Sequence, residues 1–222
     1  MKRIGLLGGT FNPVHFGHLR SAVEVQMRFA LDSVCFIPSA LPPHKDSSSV
    51  ADATDRLEMV RMAISDYPTL TVSDAELKRS GPSYTIDTVK HFKTSQSGRA
   101  EFHLITGIDS FLEIDTWKSF KDLFTLVPFI VMKRPGLNYA DSEVGVKDLG
   151  RFLDKKISQG YHFSGQDSCF MHKSYRPVYI CEVTQINISS TNIRKMAKQD
   201  EPICFLVPSN VELFIKQKGL YR

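Results

Sequence analysis

Two histidines, His15 and His18, stand three residues apart with Gly17 between them, just after the run Gly8-Gly9-Thr10-Phe11-Asn12. Imidazoles offer hydrogen-bond donors that can carry charge near neutral pH. Glycines let the backbone approach a ligand closely. Together they suit a phosphate. The tract differs from the dinucleotide fingerprint, which has no histidines, and it lacks the Gly-Lys-Ser/Thr of a P-loop. A Gly-rich turn with two hydrogen-bonded histidines is the bland alternative. A second tract, Ile188-Ser189-Ser190-Thr191-Asn192-Ile193-Arg194, opens with hydroxyls and places an arginine one helical turn later. Hydroxyls at a helix start and a guanidinium on the same side make an anion site, although an ordinary N-cap followed by a surface arginine would read the same.

The elements around these tracts explain how they could meet. Ile4 to Leu7 is a short apolar run that reads as a buried strand, while Leu19, Ala22, Val23, Met27 and Ala30 recur at helical spacing. The first tract is therefore a strand-to-helix connection, where an α/β sheet presents N–H groups and a positive helix end to an anion. Further strands are predicted at Ser33–Pro38, Thr69–Leu77, Glu101–Thr106, Val127–Met132 and Val178–Val183. Helices are predicted around Leu57–Ile64 and Ile86–Phe92, the latter capped by Ser83 or Thr85. Two more close the chain, from Ser189 and from Ser209, where Ser209-Asn210-Val211-Glu212 reads as a capping box and Gly219 as the stop. This alternation implies an α/β fold: a Rossmann-like, doubly wound, mainly parallel sheet with helices on both faces. Strand ends at Gly8, Pro38, Gly107 and Lys133 would share one edge and one site. Residues from Leu137 to Arg176 are polar, weakly periodic and without a clear strand, and read as a surface helix and loops inserted before the last strand.

Composition narrows the functional class. With 222 residues, 42% hydrophobic and 23% charged, the chain suits one α/β domain with a sizeable core. A net charge of +4, with no basic run and no interleaved aromatics, agrees with a phosphate-rich ligand and not with nucleic acid. Cys35, Cys169, Cys181 and Cys204 form no C-x-x-C pair, and they read as buried free thiols of a reducing cytoplasm. No apolar run approaches membrane-spanning length, and the Met-Lys-Arg start passes straight into a strand rather than a signal peptide.

The two tracts resemble the signatures of nucleotidyltransferases, and together they are similar to those of the nicotinate mononucleotide adenylyltransferase family. The resemblance spans most of the chain except the Leu137–Arg176 segment, and implies residues 1–222 as a single nucleotidyltransferase domain with that insertion. It implies that Gly8, Gly9, Thr10, Phe11, His15, His18, Gly107, Asp109, Ser189, Ser190 and Arg194 bind ATP. Within that set His18 would meet the α-phosphate and His15 its neighbourhood, while Ser189, Ser190 and Arg194 would hold the β- and γ-phosphates; His15, His18 and Arg194 are the expected catalytic residues. The acceptor side would be Asn12, His44, Lys45, Thr85, Trp117 and Arg134, with Thr85 near the pyridine carboxylate and Trp117 stacked on the ring. Without the resemblance, Trp117 could equally be a partly buried surface aromatic, Asp109 a helix cap, and Lys45 and Arg134 solvated charges. Many members carry a second aromatic after the tryptophan; here it is Lys118. The implied substrates are ATP and nicotinate mononucleotide. Mg²⁺ would arrive with ATP, since no carboxylate cluster suggests a dedicated cage. Oligomeric state stays open, a homo-oligomer included. Rival readings are transferases for pantetheine phosphate, glycerol phosphate or the amidated mononucleotide, and a nucleotide-binding module without turnover.

Overall fold

A computed structural model describes residues 1–41, 50–96, 98–133 and 142–222. In chain order they form β1 (Lys2–Gly9), α1 (Phe16–Arg28), β2 (Ser33–Pro38), α2 (Ala53–Ala63), β3 (Leu70–Val72), α3 (Thr85–Ser95) and β4 (Ala100–Gly107). Then come α4 (Ile108–Leu112), α5 (Phe120–Leu126), β5 (Phe129–Lys133), α6 (Ser142–Phe152), β6 (His162–Ser164), β7 (Cys169–Met171), β8 (Val178–Glu182), α7 (Ser190–Lys198) and α8 (Ser209–Lys218). The strands order as β3-β2-β1-β4-β5-β8-β7-β6. The first six in that order run parallel, so their carboxyl ends share one edge. The order reverses between β1 and β4, the crevice where such sheets take their ligands.

Side-chain alternation sorts the core into two layers. Leu7, Phe36, Ile105, Ile130 and Cys181 face one way, against Leu19, Ala22 and Val25 of α1, Met59 and Val60 of α2, Ile193 of α7 and Val211 and Ile215 of α8. Leu6, Ile37, Leu104, Phe129 and Val131 face the other, against α3, α4 and α5. Gly5 is what lets β1 sit between these layers: a Cβ there would meet Ile105 at 2.5 Å and Leu31 at 2.9 Å.

Several local expectations change. The strand predicted over Thr69–Leu77 is only Leu70–Val72. Past it the Ser73 N–H donates to the Phe36 carbonyl at 2.9 Å, and the chain then turns, Lys78 N–H to Asp74 O at 3.1 Å. Neither Ser83 nor Thr85 caps α3: Tyr84 holds the cap position, and the Ser83 hydroxyl instead accepts from the Ala40 and Leu41 N–H groups. In α8 the cap is Pro208, so Ser209 is already helical and no capping box forms, while Gly219 ends the helix with φ 61° as expected. Leu137–Arg176 carries more than a helix and loops. The strands β6 and β7 pair antiparallel and extend the sheet from β8, and Leu149, Leu153, Ile157 and Phe170 are buried. Three-residue strands are too short to leave a period-two signal. Cys35, Cys169 and Cys181 are buried, but Cys204 is exposed, because Ile203 turns inward and the next two residues turn out.

Candidate active site

The turn after β1 is built around rings packed on glycines. A Cβ on Gly9 would meet the Phe11 ring at 2.8 Å, and one on Gly17 would meet His15 Nδ1 at 3.0 Å. Phe11 is 3% exposed despite a left-handed φ of 48°, which a non-glycine residue holds only where its surroundings fix it. Its ring packs edge-on against His18 and tilts against Phe36. His15 is the N-cap of α1 and is 3% exposed. The two imidazoles stack, with centroids 3.7 Å apart. His18 Nδ1 accepts the His15 backbone N–H at 3.3 Å, which in the neutral ring puts the proton on Nε2. Cβ atoms on Gly8 or Gly107 would meet only open space, so a ligand can reach the backbone there.

The start of α7 locks onto this turn. Ser189 caps the helix, its Oγ accepting the Asn192 N–H at 3.2 Å. Ser190 Oγ donates to the Pro13 carbonyl and Arg194 Nη1 to the Asn12 carbonyl, each at 2.9 Å. Asn12, 3% exposed, accepts at Oδ1 from the Ala51 N–H at 3.1 Å and the Tyr221 hydroxyl at 2.9 Å. Beneath lies Arg56, 1% exposed, donating to the carbonyls of Ala51, Thr10 and Ala40 at 2.8, 2.8 and 3.3 Å. Burial lowers its pKa, and burial raises that of the Tyr221 phenol against the opposing pull of Arg194 and Arg56. Two helix N-termini, two guanidiniums and two imidazoles therefore converge on one turn, a strongly anion-attracting field. An open cleft of about 710 Å³ lies between α1, the connection from α2 to β3 and the start of α8, with Leu19, Met62, Tyr67, Leu70, Ile188 and Asn210 in its lining; it meets the site only at Phe16, the first residue of α1.

On the other face of the sheet edge, Thr85 is the first residue of α3. The start of that helix is tied down from within: the Thr88 hydroxyl donates to buried Glu76 at 2.6 Å and accepts from Arg79 at 3.1 Å. Trp117, half-buried, ends a 3₁₀ turn (Ile114–Thr116) and packs on the core layer of α3 to α5. Asp109 lies exposed in the first turn of α4, where Gly107, not Asp109, holds the cap position.

The sequence relationships agree with this geometry. Residues 6–196 match the model of the cytidylyltransferase-like family. A protein of Desulfatibacillum aliphaticivorans named a probable nicotinate-nucleotide adenylyltransferase is 41% identical over 227 residues, covering 99% of each chain. Its counterpart in Geotalea uraniireducens is 40% identical, covering 99% of this chain and 98% of its own. The chain belongs to the nicotinate-nucleotide adenylyltransferase family. The fold agrees: the nicotinic acid mononucleotide adenylyltransferase of Plasmodium falciparum, solved with NaAD, superposes with a TM-score of 0.73 at 18% identity, over 100% of this chain and 98% of that one. The parallel sheet is the one expected from the alternation of strands and helices, and the nucleotidyltransferase fold is the one the resemblance implied.

Within that family frame, the structure joins Asn12, His15, His18, Ser189, Ser190 and Arg194 around one turn. Gly107 and Asp109 stand at the end of neighbouring β4, Thr85 opens α3, and Trp117 follows the 3₁₀ turn and packs on the same core layer as Tyr84. His44, Lys45 and Arg134 lie outside the described residues. Sequence reasoning missed Arg56 and the bonding role of Tyr221. Arg56 did leave a signal: it falls in phase with Met59, Val60 and Ala63 on the apolar stripe of α2, where a charge must be buried.

Proposed function

We infer that this chain transfers the adenylyl group of ATP to nicotinate mononucleotide, yielding nicotinate adenine dinucleotide and pyrophosphate for NAD biosynthesis. A phosphate oxygen of the mononucleotide attacks the α-phosphorus in line; the bond to the bridging α–β oxygen breaks, and pyrophosphate leaves with the electron pair. Such chemistry rests on positioning and on stabilising spread negative charge. The observation that carries this reading is the stacked His15–His18 pair at the start of α1, held against the start of α7 with Arg194 across the same turn. His18 donates to the α-phosphate as charge develops, and His15 supports it. Ser189, Ser190 and Arg194 take the β- and γ-phosphates, for which Arg194 exchanges the Asn12 carbonyl. Gly8, Gly9, Thr10 and Phe11 shape the turn, and Gly107 and Asp109 receive the ribose.

Asn12, His44, Lys45, Thr85, Trp117 and Arg134 serve the acceptor, with Thr85 and the N–H groups of α3 donating to its carboxylate. Among the described residues no three His, Cys, Asp or Glu side chains group to hold a metal. The divalent cation, Mg²⁺ in this reading, enters as part of the ATP substrate, bound by phosphate oxygens. Residues 1–222 act as one nucleotidyltransferase domain. No helix of the described residues is long and apolar enough to cross a membrane.

The test is pyrophosphate release from ATP and Mg²⁺ with each candidate acceptor. The acid mononucleotide should be the preferred acceptor over its amide, pantetheine phosphate and glycerol phosphate. His18→Ala should lower kcat on the order of a hundredfold, with ATP binding little changed. Release that is independent of acceptor, or strongest with pantetheine phosphate, overturns the assignment.

A further inference from the structure

A tyrosine far from the phosphate turn in sequence is bonded to it in space. Tyr221 Oη donates to Asn12 Oδ1 at 2.9 Å, across 209 positions. The same oxygen accepts the Ala51 backbone N–H at 3.1 Å. A backbone N–H can only donate, so the Asn12 atom is the acceptor and the phenol supplies the proton. Burial raises the phenol pKa, which keeps that proton in place. The fold is shaped to bring the hydroxyl there. Asn210 Nδ2 donates to the Met62 carbonyl at 2.7 Å and Lys218 pairs with Asp55 at 3.1 Å, so α8 is fastened to α2 at both of its ends. Gly219 then turns left-handed, the Leu220 N–H closes back on the Ile215 carbonyl at 3.0 Å, and Tyr221 takes a left-handed φ of 68°. A tyrosine holds that conformation only where its contacts fix it. Here its ring packs on the core layer of α1, α2, α7 and α8, and its hydroxyl is bonded to Asn12.

Asn12 is where this bond meets the site. Its side chain is anchored by Tyr221 and Ala51, and its main-chain carbonyl accepts Arg194 Nη1 at 2.9 Å. We propose that Tyr221 is a positioning residue for ATP: through Asn12 it keeps the Arg194 guanidinium where the triphosphate arrives. The proposal rests on the reading that Arg194 takes the β- and γ-phosphates. An arginine stem has many rotamers, and its affinity for phosphate falls with the fraction of time that it spends in the wrong ones. The Asn12 carbonyl selects one of them, and the tyrosine hydroxyl fixes that carbonyl. Tyr221 itself touches no phosphate in this arrangement and acts only through its neighbour.

The experiment measures pyrophosphate release by the unmutated protein, Tyr221→Phe, Arg194→Ala and the double variant. ATP is varied at saturating mononucleotide and the mononucleotide at saturating ATP. Thermal unfolding of each protein sets the assay temperature well below the lowest midpoint, so that loss of fold does not mimic loss of ATP. Phenylalanine keeps the ring in the core and deletes only the hydroxyl. Tyr221→Phe should raise KM for ATP roughly three- to tenfold, the range of one hydrogen bond, with smaller changes in kcat and in KM for the mononucleotide. Adding it to Arg194→Ala should leave KM for ATP within about twofold of the single variant, because the hydroxyl then has no arginine to position. If the two effects multiply instead, Tyr221 steadies the turn as a whole, and the proposal fails while Arg194 keeps its role. An unchanged KM for ATP in Tyr221→Phe, or a shift confined to the mononucleotide, overturns it in the same way. If Arg194→Ala does not raise KM for ATP, the reading beneath the proposal fails, and the proposal with it.

Discussion

Replacing Arg56 by methionine isolates what a buried guanidinium does for the phosphate turn. The side chain is 1% exposed and bridges three carbonyls, those of Thr10 after β1, Ala40 after β2 and Ala51 before α2. Methionine keeps much of the volume, so the cavity contribution is small and the loss is polar. Three charge-assisted bonds disappear, and three part-buried carbonyls lose their donor, at about 1 kcal/mol each or somewhat more. Part of that loss is returned, because the variant no longer buries a charge; the lowered pKa of Arg56 reflects that burial. The net expectation is a destabilisation of about 2–4 kcal/mol, a large share of the typical stability of a domain. For a chain of this length that corresponds to a fall in Tm of roughly 5–15 °C. Urea unfolding at unchanged m-value would measure it, and titration of ATP by calorimetry would show weaker binding, since Thr10 and Asn12 lose their floor. A methionine variant within about 0.5 kcal/mol of the parent would refute the reasoning, since that is the range of an unengaged surface substitution.

Three further outcomes follow from the same geometry. Arg194→Ala should raise KM for ATP more than it lowers kcat, because a triphosphate contact present in ground and transition states is uniform binding; a shift confined to the acceptor would remove Arg194 from the triphosphate. Gly17→Ala brings a Cβ to 3.0 Å from His15 Nδ1, so the stacked pair must move, and turnover should fall several-fold or more while Tm changes little; normal turnover would mean the ring geometry is not needed. Burial lowers the pKa of His103, opposed by Glu101 and aided by Arg3. Below its unfolded value of 6.5 the unfolded chain then binds the extra proton first, so stability present at pH 8 is lost as pH falls through that window. His103→Gln should flatten the dependence of unfolding free energy on pH between about 8 and 5, and identical slopes would show that His103 does not contribute.

The sequence made the parallel core legible because its strands are long apolar runs and its helices keep a clear stripe, as in Ser33–Pro38 or the α1 pattern from Leu19 to Val25. The strand ends at Pro38, Gly107 and Lys133 fell where expected, and the first strand ran one residue past Gly8. Caps were less legible. Ser83 looks like a helix cap, yet its hydroxyl is worth more tying down the two N–H groups after β2, a contact across 43 and 42 positions that no local pattern encodes. The hairpin of β6 and β7 was hidden because each strand has three residues and pairs only at the sheet edge. At the site, the histidines and the serine-arginine tract announced themselves by type and spacing. Tyr221 did not, since its partner Asn12 lies 209 positions away.

That distant bond points to how the turn is held in place. Arg56 and Arg194 give their hydrogen bonds to carbonyls and a hydroxyl rather than to carboxylates. A carboxylate partner would have stabilised each arginine more, but it would also have cancelled the charge on which a triphosphate depends. Carbonyl acceptors hold the guanidiniums in place by hydrogen bonds, while the charge of nearby Asp52 acts on Arg56 from a distance. The two arginines differ in how firmly they are held. Arg56 is buried with three carbonyl contacts and can only act as a fixed source of field. Arg194 is half-buried, with one close carbonyl contact at 2.9 Å and a second, longer approach of 3.5 Å to Thr191 Oγ1, so exchanging its partner for phosphate oxygen sacrifices little. Asn12 connects the two: its side chain is anchored by Ala51 and Tyr221, and its carbonyl is the resting partner of Arg194. The Tyr221 hydroxyl thereby fixes the residue whose carbonyl holds Arg194, and buried Arg56 fixes the turn from beneath.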